Sequence, residues 1–255
     1  MINIATVQSV AFKILINGIS KIINKGKLIF TEEHIKMLET DKGKDILIHL
    51  KLYSENFEEY FVKEKKEINI DFKLLQKITK NIKNNETIRI IYNENDTFWT
   101  LKSFDSDKSI NKSYKINLIH YERDEINIPP TEFNYEVSLS TTYFKELLNQ
   151  SKFISSDKIN ISFNGKAMKF NIKNENIEKE VFIQENKDNM YIDFYLGPDS
   201  ELINSDFNYN NILKCCYFTN LCNMLKIYFK KEFPIVFIYS IASLGNIKLV
   251  FTPII

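Results

Sequence analysis

Glycine is scarce in this chain, at six residues in 255, and proline scarcer still, at five. No G-x-x-x-x-G-K-[ST] loop or G-x-G-x-x-G turn occurs, which excludes the two commonest backbone cradles for nucleotide phosphates. Cysteine is confined to Cys215, Cys216 and Cys222, an odd number in one cluster. That argues against a disulfide framework, and without C-x-x-C spacing the three are expected as packing thiols. No run approaches the roughly 20 apolar residues that a membrane-crossing helix needs. The opening stretch MINIATVQSVAFKILINGIS lacks a basic lead and a small-residue cleavage site. No signal peptide is therefore expected, and the chain is read as soluble and intracellular. A G-x-S-x-G elbow and a paired-carboxylate motif are also missing, so no catalytic residue, cofactor or metal is expected. His34, His49 and His120 are isolated in sequence, and Asp105 and Asp107 in SFDSDKS read as a surface turn rather than a metal pair.

Acid is missing where lysine is concentrated. The first 31 residues hold Lys13, Lys21, Lys25 and Lys27 without one Asp or Glu. The segment Asp71–Asn84 adds Lys73, Lys77, Lys80 and Lys83 against Asp71 alone. Leaving out Lys27 and adding Lys145, Lys152 and Lys214, the four helical windows carry ten lysines against Asp71 and Glu146, in a chain of formal net charge +1. Lysine stripes on amphipathic helices are commonly just solvated faces. Four windows depleted of acid point instead to an anionic partner, and phosphates are held this way without base readout.

The periodicity predicts four helices. The first spans about Gln8–Asn24, with Ala11, Ile14, Leu15, Gly18, Ile19, Ile22 and Ile23 inward and a polar stripe at Lys13, Asn17, Ser20 and Asn24. The second runs from an N-cap at Asp71, burying Leu75, Ile78 and Ile82. The third begins near Ser140 with Phe144, Leu147 and Leu148 inward, and the fourth covers Tyr209–Leu221. Between them, alternating segments such as ILIHLKLY and IVFIYSI read as antiparallel strands. Phe30-Thr31 followed by Ile35-Lys36-Met37 recurs as Phe163-Asn164 followed by Met168-Lys169-Phe170, an offset of 133 close to that between helices one and three. Two copies of a β-α-β-β-β-α-type unit are expected. They would occupy residues 1–118 and 134–255, joined by an exposed connector, 119–133, that Pro129-Pro130 keeps irregular.

Four stretches carry a family likeness: Ser54-Glu55-Asn56-Phe57 with Tyr60, Lys77-Ile78 with Lys80, Ile126-Asn127-Ile128-Pro129, and the C-terminal FPIVFIYSIASLGNIKLVFTPI. In order and separation they resemble the proliferating cell nuclear antigen family of DNA sliding clamps in eukaryotes, archaea and large DNA viruses. The resemblance implies an α+β clamp fold: two similar domains, each with antiparallel sheets and two helices, closing into a ring-shaped homotrimer whose helices line the hole. It implies a non-enzymatic processivity factor with double-stranded DNA, a DNA polymerase, a clamp loader and repair proteins as partners, and no membrane. The site would be nuclear, or cytoplasmic if the source is a cytoplasmic DNA virus. Two rivals stand beside this reading: a clamp-fold checkpoint or processivity protein that is not a homotrimer, and an α+β enzyme with an unrecognised site.

The resemblance also implies site residues. Lys13, Lys77 and Lys80 match basic DNA-facing positions, with Lys21, Lys73, Lys83, Lys145, Lys152 and Lys214 beside them; Ser20, Asn149 and Tyr217 stand where the family carries a base. A partner-peptide pocket would be built from Thr40, Lys44, Leu47, Ile126, Ile128, Pro129, Pro234, Val250, Thr252 and Pro253. There Thr40 replaces a methionine, Val250 an aromatic, and Lys44-Asp45 a His–aliphatic pair. The subunit interface would pair the edge Lys112, Tyr114, Lys115, Ile116 with a strand near Asn176–Ile183, where Ile177, Glu178 and Glu180 lie. The lysines of one edge would face the glutamates of the other, over Ile78 and Ile82 packed against Leu148 and Ile154. Asn164, with Lys166 nearby, falls where the family is modified by ubiquitin-like tags.

Overall fold

The computed structural model describes residues 1–105, 107, 109–123, 126–128, 131–164, 167–184, 192–196 (main chain only) and 202–254. The chain opens with β1 (Ile2–Thr6) and α1 (Ser9–Ser20). Five strands follow: β2 (Lys25–Phe30), β3 (His34–Thr40), β4 (Ile46–Tyr53), β5 (Glu59–Val62) and β6 (Lys66–Asp71). After α2 (Phe72–Thr79) come β7 (Thr87–Tyr92), β8 (Phe98–Phe104) and β9 (Asn111–Asn117). The order then repeats. It runs β10 (Tyr135–Ser140), α3 (Thr141–Asn149), β11 (Lys158–Phe163), β12 (Ala167–Lys173), β13 (Glu178–Gln184), β14 (Ile192–Leu196), β15 (Ile203–Asn208), α4 (Tyr209–Leu213), β16 (Met224–Phe229), β17 (Ile235–Ile241) and β18 (Gly245–Phe251). Each copy has five strands between its helices and three after the second, not the three between helices that the sequence pattern suggested.

The two copies share one pairing plan. Strands β5-β1-β7-β8-β9 lie side by side, as do β14-β10-β16-β17-β18, while β4-β3-β2-β6 has its counterpart in β13-β12-β11-β15. The repeated motif sits at one register in both: Phe30 opposes Ile35 across β2–β3, and Phe163 opposes Met168 across β11–β12. By contact the chain divides into two compact units. Unit one is Met1–Glu39, Ile48–Ile126 and Ser240–Ile247; unit two is Thr40–Leu47, Asn127–Tyr239 and Lys248–Ile255.

Capping chemistry sets the helix starts. Asp71 accepts from the Leu74 amide at 2.9 Å, Ser140 from Tyr143 at 3.4 Å and Asn208 from Asn211 at 3.0 Å. Each such cap contributes about 1 kcal/mol. Helix α1 has no side-chain cap and ends at Ser20, four residues before the expected stop, where the Ser20 hydroxyl turns back to the Asn17 carbonyl at 2.8 Å. Its inward face also differs. Phe12, Ile16 and Ser20 are buried, whereas Ile14 and Ile22 are only half-buried. The apolar residues of this helix exceed one stripe, so periodicity alone could not choose the buried face. Helix α4 is five residues long and passes into a 3-10 turn at Lys214–Tyr217, well short of Leu221.

Aromatic packing fills unit two. Tyr135 meets Phe163 edge-on at 4.9 Å between centroids, and Phe144 stacks on Phe237 at 5.5 Å. The contacts exploit the ring quadrupole, worth about 1 kcal/mol per pair beyond burial. The C-terminal motif has a local cause as well: a Cβ on Gly245 would lie 2.1 Å from the Lys51 carbonyl oxygen, so only glycine fits. In the SENF motif, the Tyr60 hydroxyl donates to the Thr31 carbonyl at 2.7 Å and the Ser54 amide to Glu33 at 2.9 Å, tying this segment to the β2–β3 turn.

Candidate nucleic-acid and partner interfaces

In unit one, α1 and α2 lie side by side, joined by Gln76 Nε2 donating to Asn17 Oδ1 at 3.1 Å. On α2 and its C-terminal extension, Lys73, Lys77, Lys80 and Lys83 are exposed, as is Lys21 just past α1. Among the described residues, none of these five lysines has a carboxylate within ion-pair distance. Lys13 differs. Its ammonium donates to the Ile82 carbonyl at 2.9 Å and to Asn84 Oδ1 at 2.5 Å, holding the segment after α2. In unit two Lys152 is exposed and Lys145 half-buried, and both lie near enough to Cys216 to favour its thiolate. Lys214 donates to Asn211 Oδ1 at 2.9 Å. Burial outweighs these lysines and pushes the Cys216 thiol up to about 11, while burial drives Cys215 well above its usual range. Neither is a nucleophile at neutral pH.

Among the described residues, the two strands expected to close a subunit contact are both sheet edges: β9 pairs only with β8, and β13 only with β12. Their charges, however, have partners within the chain. Lys112 binds Glu86 at 2.6 Å and the Asn81 carbonyl at 2.9 Å, while Lys115 lies over the Phe98 ring at 4.9 Å. Glu180 pairs with Lys169, and Asn171 Nδ2 donates to Glu178 at 2.6 Å and to Glu180 at 2.9 Å. The expected cross-strand ladder would therefore have to compete with these pairs. Ile82, Leu148 and Ile154 are buried in their own units and offer a neighbour no surface; Ile78 and Tyr114 are half-buried and Ile116 is buried. The exposed apolar groups of unit two include Ile177 at 41%, Phe153 at 69% and Phe182 at 59%. Sequence reasoning missed the two phenylalanines; an outward Phe amid the charged run EKEVFIQ was the available signal.

Of the expected pocket residues, Thr40, Lys44, Leu47, Ile128, Pro234, Val250, Thr252 and Pro253 all fall in unit two, and Ile126 in unit one. Asp41 Oδ1 accepts from the amides of Asp45 at 2.9 Å and Ile46 at 3.0 Å, folding the 41–46 turn. The Thr252 amide donates to the Asp45 carbonyl at 3.2 Å, which sets the C-terminal segment against that turn. Thr40, Leu47, Pro234, Val250 and Pro253 are half-buried, while Ile128 is 45% exposed. Pro129, Pro130 and Lys166 lie outside the described residues. Described connector residues 119–123, 126–128 and 131–133 form neither helix nor strand.

Residues 1–125 match the family model for the proliferating cell nuclear antigen, N-terminal domain. A probable DNA polymerase sliding clamp 1 of Paramecium bursaria Chlorella virus 1 is 25% identical over 260 residues, covering 100% of this chain and 97% of that protein. DNA polymerase sliding clamp 1 of Sulfolobus acidocaldarius is 25% identical over 252 residues, 94% of each chain. The likeness to the proliferating cell nuclear antigen family thus runs the whole length of this chain. Proliferating cell nuclear antigen 2 of Drosophila melanogaster, 22% identical over 259 residues, spans 96% of the chain and 94% of its own length. The duplicated α+β architecture is the clamp fold.

Asp105 accepts from the Ser109 hydroxyl at 2.6 Å and the Ile110 amide at 3.3 Å, closing a turn, and these bonds hold its carboxyl below the usual range. His120 is not isolated: its Nε2 lies 3.2 Å from Glu122, with both side chains solvent-exposed. Among the described residues no three His, Cys, Asp or Glu side chains converge.

Proposed function

We propose that this chain is a DNA polymerase sliding clamp: a non-enzymatic processivity factor that encircles duplex DNA as a closed homotrimer and holds partner enzymes by a short peptide. The observation that carries the reading is the set of exposed, unpaired lysines on the helices of a chain whose full-length relatives are named as sliding clamps. Free ammonium groups on a helical wall release counterions from phosphate without reading bases, which is what a protein that must move along DNA requires. Lys21, Lys73, Lys77, Lys80, Lys83 and Lys152 are the phosphate contacts, with Lys145 and Lys214 at the margin.

Ring closure pairs β9 of one copy with β13 of the next, since main-chain donors and acceptors on both edges lack a neighbouring strand among the described residues. Ile177, Phe153 and Phe182 supply apolar area beside that seam. The partner pocket is the apolar set around Leu47, Ile128, Pro234, Val250 and Pro253, docking a helical turn with aliphatic and aromatic anchors. A polymerase, a clamp loader and repair enzymes are its occupants, at the replication site of a nucleus or of a cytoplasmic virus.

The test is the salt dependence of binding to a random-sequence duplex. Changing Lys77 and Lys80 to Ala should lower the slope of log affinity against log salt by about 0.9 for each lost contact. An unchanged slope would remove the basic wall from the account.

A further inference from the structure

Glu39 is 2% exposed in β3, and both of its carboxylate oxygens are engaged. Oε1 accepts from the Lys27 amide at 2.9 Å; Oε2 accepts from the Tyr121 hydroxyl at 3.1 Å and from the Arg123 guanidinium. Tyr121 and Arg123 belong to the connector, and Asn69 of β6 adds hydrogen bonds to the Ile119 and Tyr121 carbonyls at 3.1 and 3.3 Å. The whole cluster lies inside unit one. From it we propose that Glu39 is a positioning residue: it fixes residues 119–123 at the start of the connector and so, through the chain alone, limits where Ile128, five residues beyond Arg123, can meet the partner peptide. The proposal rests on the peptide pocket described above.

The internal duplication shows what is special here. Carried on from Phe30 and Ile35, the β2–β3 register sets Gly26 against Glu39, and a Cβ on Gly26 would come within 3.0 Å of both the Glu39 side chain and the Phe72 ring. At the equivalent places 133 residues on, unit two has Ile159 and Ile172, at 0% and 1% exposure. Where one copy packs two isoleucines, the other has a carboxylate and the space for it. The difference follows the chain's course. After β18 the C-terminal segment is tied to β15 by main chain, with the Ile254 amide donating to the Asp206 carbonyl at 2.7 Å. After β9 the connector makes its ties through side chains, at Asn69 and Glu39. A buried charge pair adds little net stability over an apolar pair, but it dictates which groups meet and at what angle. Ordering a loop before its ligand arrives removes that cost from the binding step.

The test uses the full-length protein carrying Glu39→Ile, the residue that unit two already accepts at this place, with Glu39→Gln as a volume-conserving control for folding. Hydrogen exchange of amides 119–123 is read first, and calorimetry follows with a synthetic peptide bearing one aliphatic and two aromatic anchors on a helical turn. Glu39→Ile and Arg123→Met should each speed exchange in the connector alone and weaken the peptide at least tenfold. The double variant should be no worse than either single, because the two groups act as one unit. Unchanged connector exchange would overturn the clamp, and faster exchange with unchanged affinity would overturn its positioning role. If wild type binds no peptide, the pocket fails and the positioning role with it, while exchange still reports on the Glu39 contacts.

Discussion

The Lys13 ammonium lies 2.9 Å from the Ile82 carbonyl oxygen, so this lysine is bonded to the segment that ends α2. Ser9 joins it there, its hydroxyl donating to the Asn84 carbonyl at 2.8 Å. The family likeness marks Lys13 as a DNA contact; its geometry makes it first a brace between α1 and the lysine-bearing α2. Lys13→Ala should therefore cost about 1 kcal/mol of stability in a urea titration, the usual worth of a hydrogen bond. It should change the DNA salt slope less than Lys77→Ala does.

Lys112→Met should cost about 3 kcal/mol, because it leaves Glu86 buried without its cation. Burial pushes the Glu86 carboxyl up, but the Lys112 hydrogen bond and charge, together with the polar groups of Ser103 and the Lys83 main chain, more than offset that and hold it below its usual range. A depressed carboxyl stabilises the fold above its unfolded pKa, and that contribution is lost as pH falls through the folded one. The wild type should thus lose stability to Lys112→Met at neutral pH, and the gap should close in denaturant titrations carried out well below pH 4.

At alkaline pH the thiols act in the opposite sense. Cys216, raised to about 11 by burial, stabilises the folded protein fully below its unfolded pKa and loses that contribution as pH rises through the folded value. Stability should decline from about pH 9 upward, and Cys216→Ser should flatten part of that decline. Alkylation by iodoacetamide at pH 7.5 should be slow in native protein and fast in urea.

Ring closure predicts that Phe153→Asp with Phe182→Asp shifts the native mass from three chains to one, since two charges would enter an apolar seam. A trimer that survives both changes would place the interface elsewhere.

Much of the fold was legible because local chemistry and global fold agree. Asp71 and Ser140 name their own helix starts through side-chain caps, and Phe30/Ile35 with Phe163/Met168 disclose the duplication through a shared register. What escaped depends on partners distant in sequence. The ties of Lys13 to Ile82, of Lys112 to Glu86 and of Glu39 to Arg123 span 69, 26 and 84 residues, and no periodicity records them. Helix α1 misled for a local reason: with Phe12, Ile14, Ile16 and Ile19 around most of its circumference, its buried face is chosen by tertiary packing.

Encirclement is tested most directly by retention on duplex DNA of defined ends. The protein is threaded onto a linear duplex at low salt, the ends are blocked with bulky protein or left open, and the sample is washed at high salt. A sliding clamp should remain on the blocked duplex and leave the open one, because its hold is topological once the lysine contacts are screened. Equal loss from both would contradict encirclement, and so would equal retention on both.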